Sequence, residues 1–462
     1  MRRPGRVGVL GLARSGRAAA KLALASGSQV LASDAAENDR VREAASEIRR
    51  LGGEAEIGGH TVDRLAECEL VVVSPGIPPT AGVIRALEGR DVPLTSELEF
   101  AWLHLDRPVT AVTGTNGKTT VTAWITHLLA TAGRDAVSAG NIGTALSEVA
   151  LRDPPPEEVV VEASSYQLGR TQAFEPRIGV VTNLAPDHLD RYPSVDAYYA
   201  DKARLFANAR PHSTWVLNGD DAAVQALAGD APGRRLYFRT RSEPAAEESG
   251  GWLAPDGTLM LRVVGEDEAL VREDDLRLLG GHNCANALAA AVTAFAVTGD
   301  VVALRAGLRS FPPLRHRLEP LGETDGVLWV NDSKATNVAS AAVAVESMRR
   351  PTILLAGGRA KGESFEPLGD AAVRRVRTVV AYGEAADRID VELGHRVPVR
   401  KVSGPFRNAV WQAWDLAESG DAILLAPACA SFDMFDDYED RGRQFARLAE
   451  EIAGLVPEAD VG

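Results

Sequence analysis

Short runs of branched apolar residues recur along the chain, each closed by glycine or a polar cluster and usually followed by an Ala/Leu-rich stretch with helical spacing. The runs fall at 6–10, 30–34, 69–74, 109–113, 159–162, 178–183, 327–331, 352–357, 378–383 and 422–427. Most are apolar almost throughout instead of alternating with polar residues, which predicts parallel strands covered on both faces. Helical stretches at 17–25, 121–130, 196–209 and 285–297 complete the alternation, and the pattern predicts an α/β fold. The last of these is Ala-rich and reads as a buried helix, being too short to span a bilayer. Residues 229–275 break the pattern. They are rich in Pro, Gly and Glu and predict hairpins and loops at a domain edge, with the acidic stretch 243–248 as a solvated face.

Two punctuation points divide the chain. Asp106-Arg107-Pro108 separates a Rossmann-like opening from a central segment, and 311–319 reads as a linker into a third run of strands. The expected domains are 1–106, 107–313 and 314–462, matching the length prior of about three domains. In the opening segment Gly8, Gly11 and Gly16 follow the first strand without satisfying G-x-G-x-x-G, and the second strand ends on Asp34. Together with Ser74-Pro75-Gly76 after a later strand, these turns lie where open α/β sheets bind nucleotide moieties.

The most specific stretch is 109–120. A strand runs into Gly114-Thr115-Asn116-Gly117-Lys118-Thr119-Thr120 and continues as a helix. A glycine turn and a helix N-terminus aim backbone N–H groups at a phosphate. Lys118 adds a cation for the terminal phosphates, and Thr119 an oxygen within reach of Mg²⁺. Val112 stands where the full pattern has its first glycine. Glu162 ends the next central strand, as a Walker-B-type acid does beside a phosphate loop. His188 lies in a polar loop after the strand at 178–183. Lys202, on a helix fourteen positions further on, reads in isolation as a surface lysine, and Asn283 as a helix cap.

Composition narrows the class. A net charge of −14 argues against a nucleic-acid binder, and an enzyme for anionic substrates with this charge must gather its cations in a cleft. The N-terminal arginines precede no long apolar run, so no signal peptide is expected. Three widely spaced cysteines (Cys68, Cys284, Cys429) form neither a disulfide framework nor a metal cluster, and a cytoplasmic protein is expected.

Taken in order, the polar strand ends resemble those of the Mur ligases, the ATP-dependent amide-forming enzymes of peptidoglycan synthesis. The resemblance rests on Gly114–Thr120, 162–165, 182–190, Lys202, 281–286, 315–319 and 331–337, and is narrowed by 140–143, 356–361 and 427–431. It spans nearly the whole chain. It implies a Rossmann-like N-terminal domain holding a UDP-linked substrate, a central P-loop domain holding ATP, and a Rossmann-like C-terminal domain holding the incoming amino acid. Within the family these stretches are most similar to the branch whose substrates are UDP-N-acetylmuramoyl-L-alanine, D-glutamate and ATP. The Asp-Asn-Pro-Arg signature of the branch that adds a diamino acid is missing.

Carried over by position, the resemblance implies that Ser15, Gly16, Asp34, Ser74, Pro75 and Gly76 contact the uridine diphosphate, with Asn141 and His188 near the muramoyl-peptide end. Gly114, Thr115, Asn116, Gly117, Lys118, Thr119 and Thr120, with Asn283, Arg317 and Asp332, hold ATP. Two Mg²⁺ ions are implied, one on Thr119 and Glu162, the other supported by His188 and a carbamylated Lys202. Thr336, Lys361, Ser431 and Tyr438, the last at a position that other members fill with Phe, hold D-glutamate. Lys334 lies near the reacting groups, so the catalytic set is Lys118, Glu162, His188, Lys202 and Lys334. A monomer acting without nucleic acid or membrane completes the expectation. Competing readings are a folylpolyglutamate-type ligase of the same superfamily, a dinucleotide-dependent oxidoreductase suggested by residues 8–16, and a non-catalytic nucleotide-binding scaffold.

Overall fold

In a computed structural model the described residues form three sheets, each composed mainly of parallel strands. The structure describes residues 4–454 apart from Ile142, Asp190, Val264 and Leu279. Asp190, the closing acid of the 182–190 loop, therefore lies outside the described residues, as do both extreme ends of the expected outer domains.

The first sheet comprises β1 (Arg6–Leu10), β2 (Gln29–Asp34), β3 (Glu54–Ile57), β4 (Leu70–Val73) and β5 (Leu94–Ser96), in the order β3-β2-β1-β4-β5 with every pairing parallel. The order reverses between β1 and β4, so the crevice at their C-terminal ends is the switch point where α/β sheets take ligands.

The second sheet contains β6 (Val109–Thr113), β7 (Ala136–Gly140), β8 (Glu158–Glu162), β9 (Ile178–Val181), β10 (Thr214–Asn218), β11 (Arg234–Arg239), β12 (Gly250–Leu253), β13 (Thr258–Val263) and β14 (Glu266–Arg272). Its order is β14-β13-β12-β11-β10-β9-β6-β8-β7. β6 is buried at every residue and lies between β9 and β8, which places the phosphate loop at the middle of the sheet. The following helix, Lys118–Thr131, turns Val121, Trp124, Ile125 and Leu128 inward at helical spacing, and all four are fully buried. Each such side chain contributes on the order of 2 kcal/mol to folding. The edge segment 229–275 forms β11 to β14. Within its acidic stretch Glu243 and Glu247 are exposed as expected, but Glu248 turns inward and receives Arg239 through both carboxylate oxygens at 3.0 Å.

One apolar cluster runs through the first and second sheets, from Val7 and Val9 to Trp215 and Val224. Helix Glu97–Trp102, which follows β5, reinforces it. The buried Glu97 accepts the Ser147 N–H (2.6 Å), and the buried Glu99 accepts those of Ala173 (2.8 Å) and Phe174 (2.9 Å). Burial raises the Glu97 pKa. These joints make residues 1–186, 191–271 and 286–308 one compact unit, so the first two sheets cluster together.

The second unit, residues 187–190, 272–285 and 309–462, is built on the third sheet. Its strands are β15 (Glu319–Thr324), β16 (Val327–Asn331), β17 (Thr352–Gly357), β18 (Val376–Tyr382), β19 (Val399–Lys401) and β20 (Ala422–Leu425), ordered β15-β16-β20-β17-β18-β19. Only β15 pairs antiparallel among the described pairings. Along β17, Leu354 and Ala356 enter one apolar cluster while Ile353 and Leu355 enter another. Both faces are covered, which is why this strand reads as a continuous apolar run.

Candidate active site

The loop between β6 and helix Lys118–Thr131 is shaped by two glycines. Gly114 has φ +140° and Gly117 φ +82°; a Cβ on the first would lie 2.0 Å from Thr182 Oγ1, and one on the second 2.5 Å from Asn286 Oδ1. No L side chain fits either position without displacing a neighbour. The end of β9 braces the loop. Thr115 N–H donates to the Asn183 carbonyl (2.8 Å), Asn116 N–H to Asn183 Oδ1 (2.9 Å), and Thr182 Oγ1 to the Asn116 carbonyl (2.6 Å). Lys118 Nζ folds back onto the carbonyls of Gly114 (3.0 Å) and Thr115 (2.8 Å). The result is a helix N-terminus with a cation beside it, the electrostatics an anionic phosphate requires.

Thr119 Oγ1 donates to Glu162 Oε2 at 2.8 Å, and Asn141 Nδ2 to Glu162 Oε1 at 2.9 Å. Hydroxyl and carboxylate oxygens this close are the donor chemistry Mg²⁺ takes, and such an ion would neutralise nucleotide phosphates there. Among the described residues no group of three or more His, Cys, Asp or Glu gathers as a metal site. Asn141 thus stands beside the acid expected to hold the ion. Lys202 overturns its isolated reading as a surface lysine. It is 1% exposed, its Nζ donates to the Gly114 carbonyl at 2.7 Å, and it lies 4.5 Å from the centre of the Tyr198 ring. Its helix, Val195–Ala203, ends earlier than the sequence pattern suggests, giving way to a 3₁₀ turn at Arg204–Phe206.

The first glycine turn draws its predicted residues together. Asp34 accepts the N–H groups of Leu12 (2.6 Å) and Ala36 (2.8 Å), and Ser74 Oγ donates to the Gly11 carbonyl (3.1 Å). A Cβ on Gly16 would fall 1.7 Å from that same carbonyl oxygen. Ser15 and Ser74 are buried here, with Pro75 and Gly76 continuing the β4 loop.

The second unit holds the other predicted residues. Thr336, Ser431 and Lys361 follow β16, β20 and β17, three neighbouring strands of one sheet. Ala428 N–H bonds the Ala335 carbonyl (2.9 Å), and Arg359 pairs with Ala430, so these loops run side by side. Lys334 Nζ sits 3.8 Å from the centre of the Tyr438 ring. Asp332 is buried, and burial pushes its pKa up to about 7 against the opposing Arg317 charge. His188 also belongs to this unit, with φ +57°, its N–H on Asp187 Oδ1 (2.8 Å). Asn283 is buried, but helix His282–Thr298 begins before it, so it lies within the first turn and does not cap it.

Sequence reasoning missed Thr182 and Asn183, quoted only as part of a motif, and gave no role to Arg441. Arg441 is fully buried and donates to Ser333 Oγ (2.9 Å), Ser333 O (2.8 Å) and Cys429 O (3.2 Å). The sole local signal was a charged residue at an inward position of the amphipathic helix Tyr438–Ile452.

Comparison with known proteins gives the family and the fold. Residues 112–294 match the Mur ligase middle domain and 316–429 the Mur ligase glutamate ligase domain. A Salinibacter ruber protein named UDP-N-acetylmuramoylalanine--D-glutamate ligase is 40% identical over 457 residues, covering 97% of this chain and 98% of its own. One of the same name from Anaeromyxobacter dehalogenans is 41% identical over 460 residues, covering 97% and 98%. Among solved structures, a pseudomurein peptide ligase type C from Methanothermus fervidus shares the fold with a TM-score of 0.62 at 18% identity, covering 97% of this chain and 100% of its own. A folylpolyglutamate synthase from Mycobacterium tuberculosis shares it with a TM-score of 0.57 at 18% identity, covering 75% and 91%. With relatives this similar along almost its entire length, the chain belongs to the Mur ligase family.

Proposed function

We propose that this protein is an ATP-dependent ligase that joins D-glutamate to the L-alanyl carboxylate of UDP-N-acetylmuramoyl-L-alanine in peptidoglycan precursor synthesis. The observation that carries this reading is identity near 40% along almost the full chain to relatives bearing that name. The phosphate loop with its cations gives the reading a chemistry.

A carboxylate does not acylate an amine at neutral pH, because oxide is too poor a leaving group. In the proposed reaction a carboxylate oxygen attacks the γ-phosphorus of ATP, the bond to the β-phosphate oxygen breaks, and ADP departs. The resulting acyl phosphate has phosphate as its leaving group. The D-glutamate amine attacks the acyl carbon, and the tetrahedral intermediate collapses to the amide and phosphate. Both reactants are anions, so Lys118 serves to offset their repulsion, and a magnesium ion, which Thr119 and Glu162 would hold, would supply further positive charge there. Gly114 to Thr120 cradle the phosphates, and Asn283, Arg317 and Asp332 hold the rest of the nucleotide. Ser15, Gly16, Asp34 and Ser74 to Gly76 hold the uridine diphosphate, with Asn141 and His188 toward the reacting end. Thr336, Lys361, Ser431 and Tyr438 bind D-glutamate, beside Lys334.

Carbamylation of Lys202 by CO₂ would release two protons from the ammonium and leave an oxygen-donor anion, the ligand type a second Mg²⁺ prefers, and Lys202 would share that ion with His188. Domains at 1–106, 107–313 and 314–462, a monomeric state and a cytoplasmic location belong to the same proposal. A coupled phosphate-release assay tests the activity. Release is expected only with ATP, UDP-N-acetylmuramoyl-L-alanine and D-glutamate together, and not with a folate and L-glutamate; release with the latter pair alone overturns the reading.

A further inference from the structure

Between Arg191 and Lys202 lies an arrangement that the chemistry above does not use. The Arg191 guanidinium carbon stands 5.0 Å from the centre of the Tyr166 ring, and its two terminal nitrogens are each 3.5 Å from a carbonyl oxygen, one of Pro75 and one of Gly76. Tyr166 stacks on Tyr192, with centroids 5.5 Å apart and planes within 7°. Tyr192 leans on Tyr198 at 5.3 Å. Tyr198 in turn lies beneath the Lys202 ammonium at 4.5 Å, and Lys202 donates to the Gly114 carbonyl. A continuous file of one guanidinium, three phenol rings and one ammonium therefore runs from the loop after β4 to the phosphate loop after β6.

Each cation lies over an aromatic face, the geometry in which ring and charge attract, and stacked or tilted rings at these separations attract as well. Tyr192 and Tyr198 are buried, so these contacts are little diluted by solvent. The Tyr192 hydroxyl also donates to Asp201 Oδ2 at 2.8 Å, fixing the residue next to Lys202 on the same helix. Arg191 has no ion-pair partner among the described residues. Its fork carries five N–H donors, more than the two loop carbonyls use, and the planar fork can grip adjacent carbonyls where a lysine offers one point charge.

We propose that Arg191 is a positioning residue for the UDP-linked substrate: it holds the Pro75–Gly76 turn in its binding shape and, through Tyr166, Tyr192 and Tyr198, sets the position of Lys202 by the same file of contacts. This rests on the reading that the β4 loop receives the uridine diphosphate. A residue that merely supports the fold changes stability and every kinetic constant alike, whereas this role predicts a selective effect.

The experiment is steady-state kinetics on the full-length protein, with direct calorimetric titration of UDP-N-acetylmuramoyl-L-alanine in the absence of ATP. Arg191→Met is expected to raise KM and Kd for that substrate about tenfold while leaving KM for ATP within about twofold. Arg191→Lys should recover only part of the loss. Tyr166→Leu, which interrupts the file, should both raise that KM and lower kcat; Tyr192→Phe, which keeps the stack and deletes the bond to Asp201, should leave that KM unchanged. Wild-type affinity for the UDP substrate in Arg191→Met and Arg191→Lys overturns the proposal, as does an equal rise in every KM. If the wild-type protein binds no UDP substrate at all, the reading of the β4 loop fails instead, and the proposal falls with it. Should Arg191→Met fail to fold, Arg191→Lys decides alone.

Discussion

Two loops in this molecule each present a lysine after a buried strand, and they are held in shape by opposite means. The loop after β6 relies on its own backbone. Gly114 and Gly117 adopt positive φ angles, neighbouring β9 supplies hydrogen bonds at the loop's edge, and Lys118 folds onto loop carbonyls. The loop after β16, residues 331–337, contains no glycine. A buried guanidinium holds it instead, with Arg441 taking both the hydroxyl and the carbonyl of Ser333, while Ser333 Oγ donates to the Tyr438 carbonyl (2.8 Å). Asn337 closes the loop by capping helix Val338–Glu346 through the Ser340 N–H (2.8 Å). In the first device the shape comes chiefly from backbone conformation, and the cation bonds carbonyls of its own loop. In the second a charge is consumed by the fold, and desolvating it is costly. Activity and stability should therefore separate at the first loop and travel together at the second.

The largest expected effect is at the glycine loop. Lys202→Ala removes the ammonium beside the Gly114 carbonyl and, under the proposed carbamate, a magnesium ligand. Turnover is expected to fall about a thousandfold, a loss near 4 kcal/mol of transition-state stabilisation, and to be partly restored by added acetate. Its melting temperature should move less than that of the Arg441 variant described next. Full turnover in Lys202→Ala would remove the residue from the mechanism. At the guanidinium loop, Arg441→Met leaves the Ser333 and Cys429 carbonyls buried without their donor. At about 1–3 kcal/mol for each unsatisfied group, a loss of roughly 3–5 kcal/mol in denaturant unfolding is expected, together with a raised KM for D-glutamate. Unchanged stability would show that water or backbone shifts replace the guanidinium, and the contrast between the loops would collapse.

That contrast also explains what could be read from sequence. The glycine loop was legible because its determinants are contiguous: two glycines, a lysine and a threonine at helix-start spacing after an apolar strand. Arg441 was not, because its main acceptor lies 108 residues away and nothing near it in sequence marks the pairing. Lys202 misled for the same reason. Its helix has little amphipathic character, and the acceptor that makes burial tolerable, the Gly114 carbonyl, lies 88 positions distant. Glu97 and Glu99 look like ordinary helix-start acids, yet they bind the first two sheets into one unit through N–H groups at 147, 173 and 174. The sheets themselves were visible as apolar runs, because strands buried on both faces leave few polar positions to confuse the pattern.

The smallest expected effect concerns Asp332, at the start of the guanidinium loop. Burial raises its pKa to about 7, while the Arg317 charge and the Leu318 N–H pull the other way. In the unfolded chain this carboxyl titrates near the ordinary value of 3.8. Between those limits the folded protein keeps a proton that the unfolded chain has released. Stability must then fall as pH rises through the window, by roughly 2 kcal/mol between pH 5 and 7. Asp332→Asn should remove that component, so the wild-type minus variant difference in unfolding free energy, measured without nucleotide, should slope downward across this range and flatten above about pH 8. If Asp332 receives nucleotide hydroxyls as a carboxylate, ADP affinity should rise over the same interval in the wild type but not in Asp332→Asn. A flat difference profile would mean that Arg317 already holds the carboxylate ionised in the fold. The guanidinium loop would then carry a compensated ion pair, and the cost that sets it apart from the glycine loop would rest on Arg441 alone.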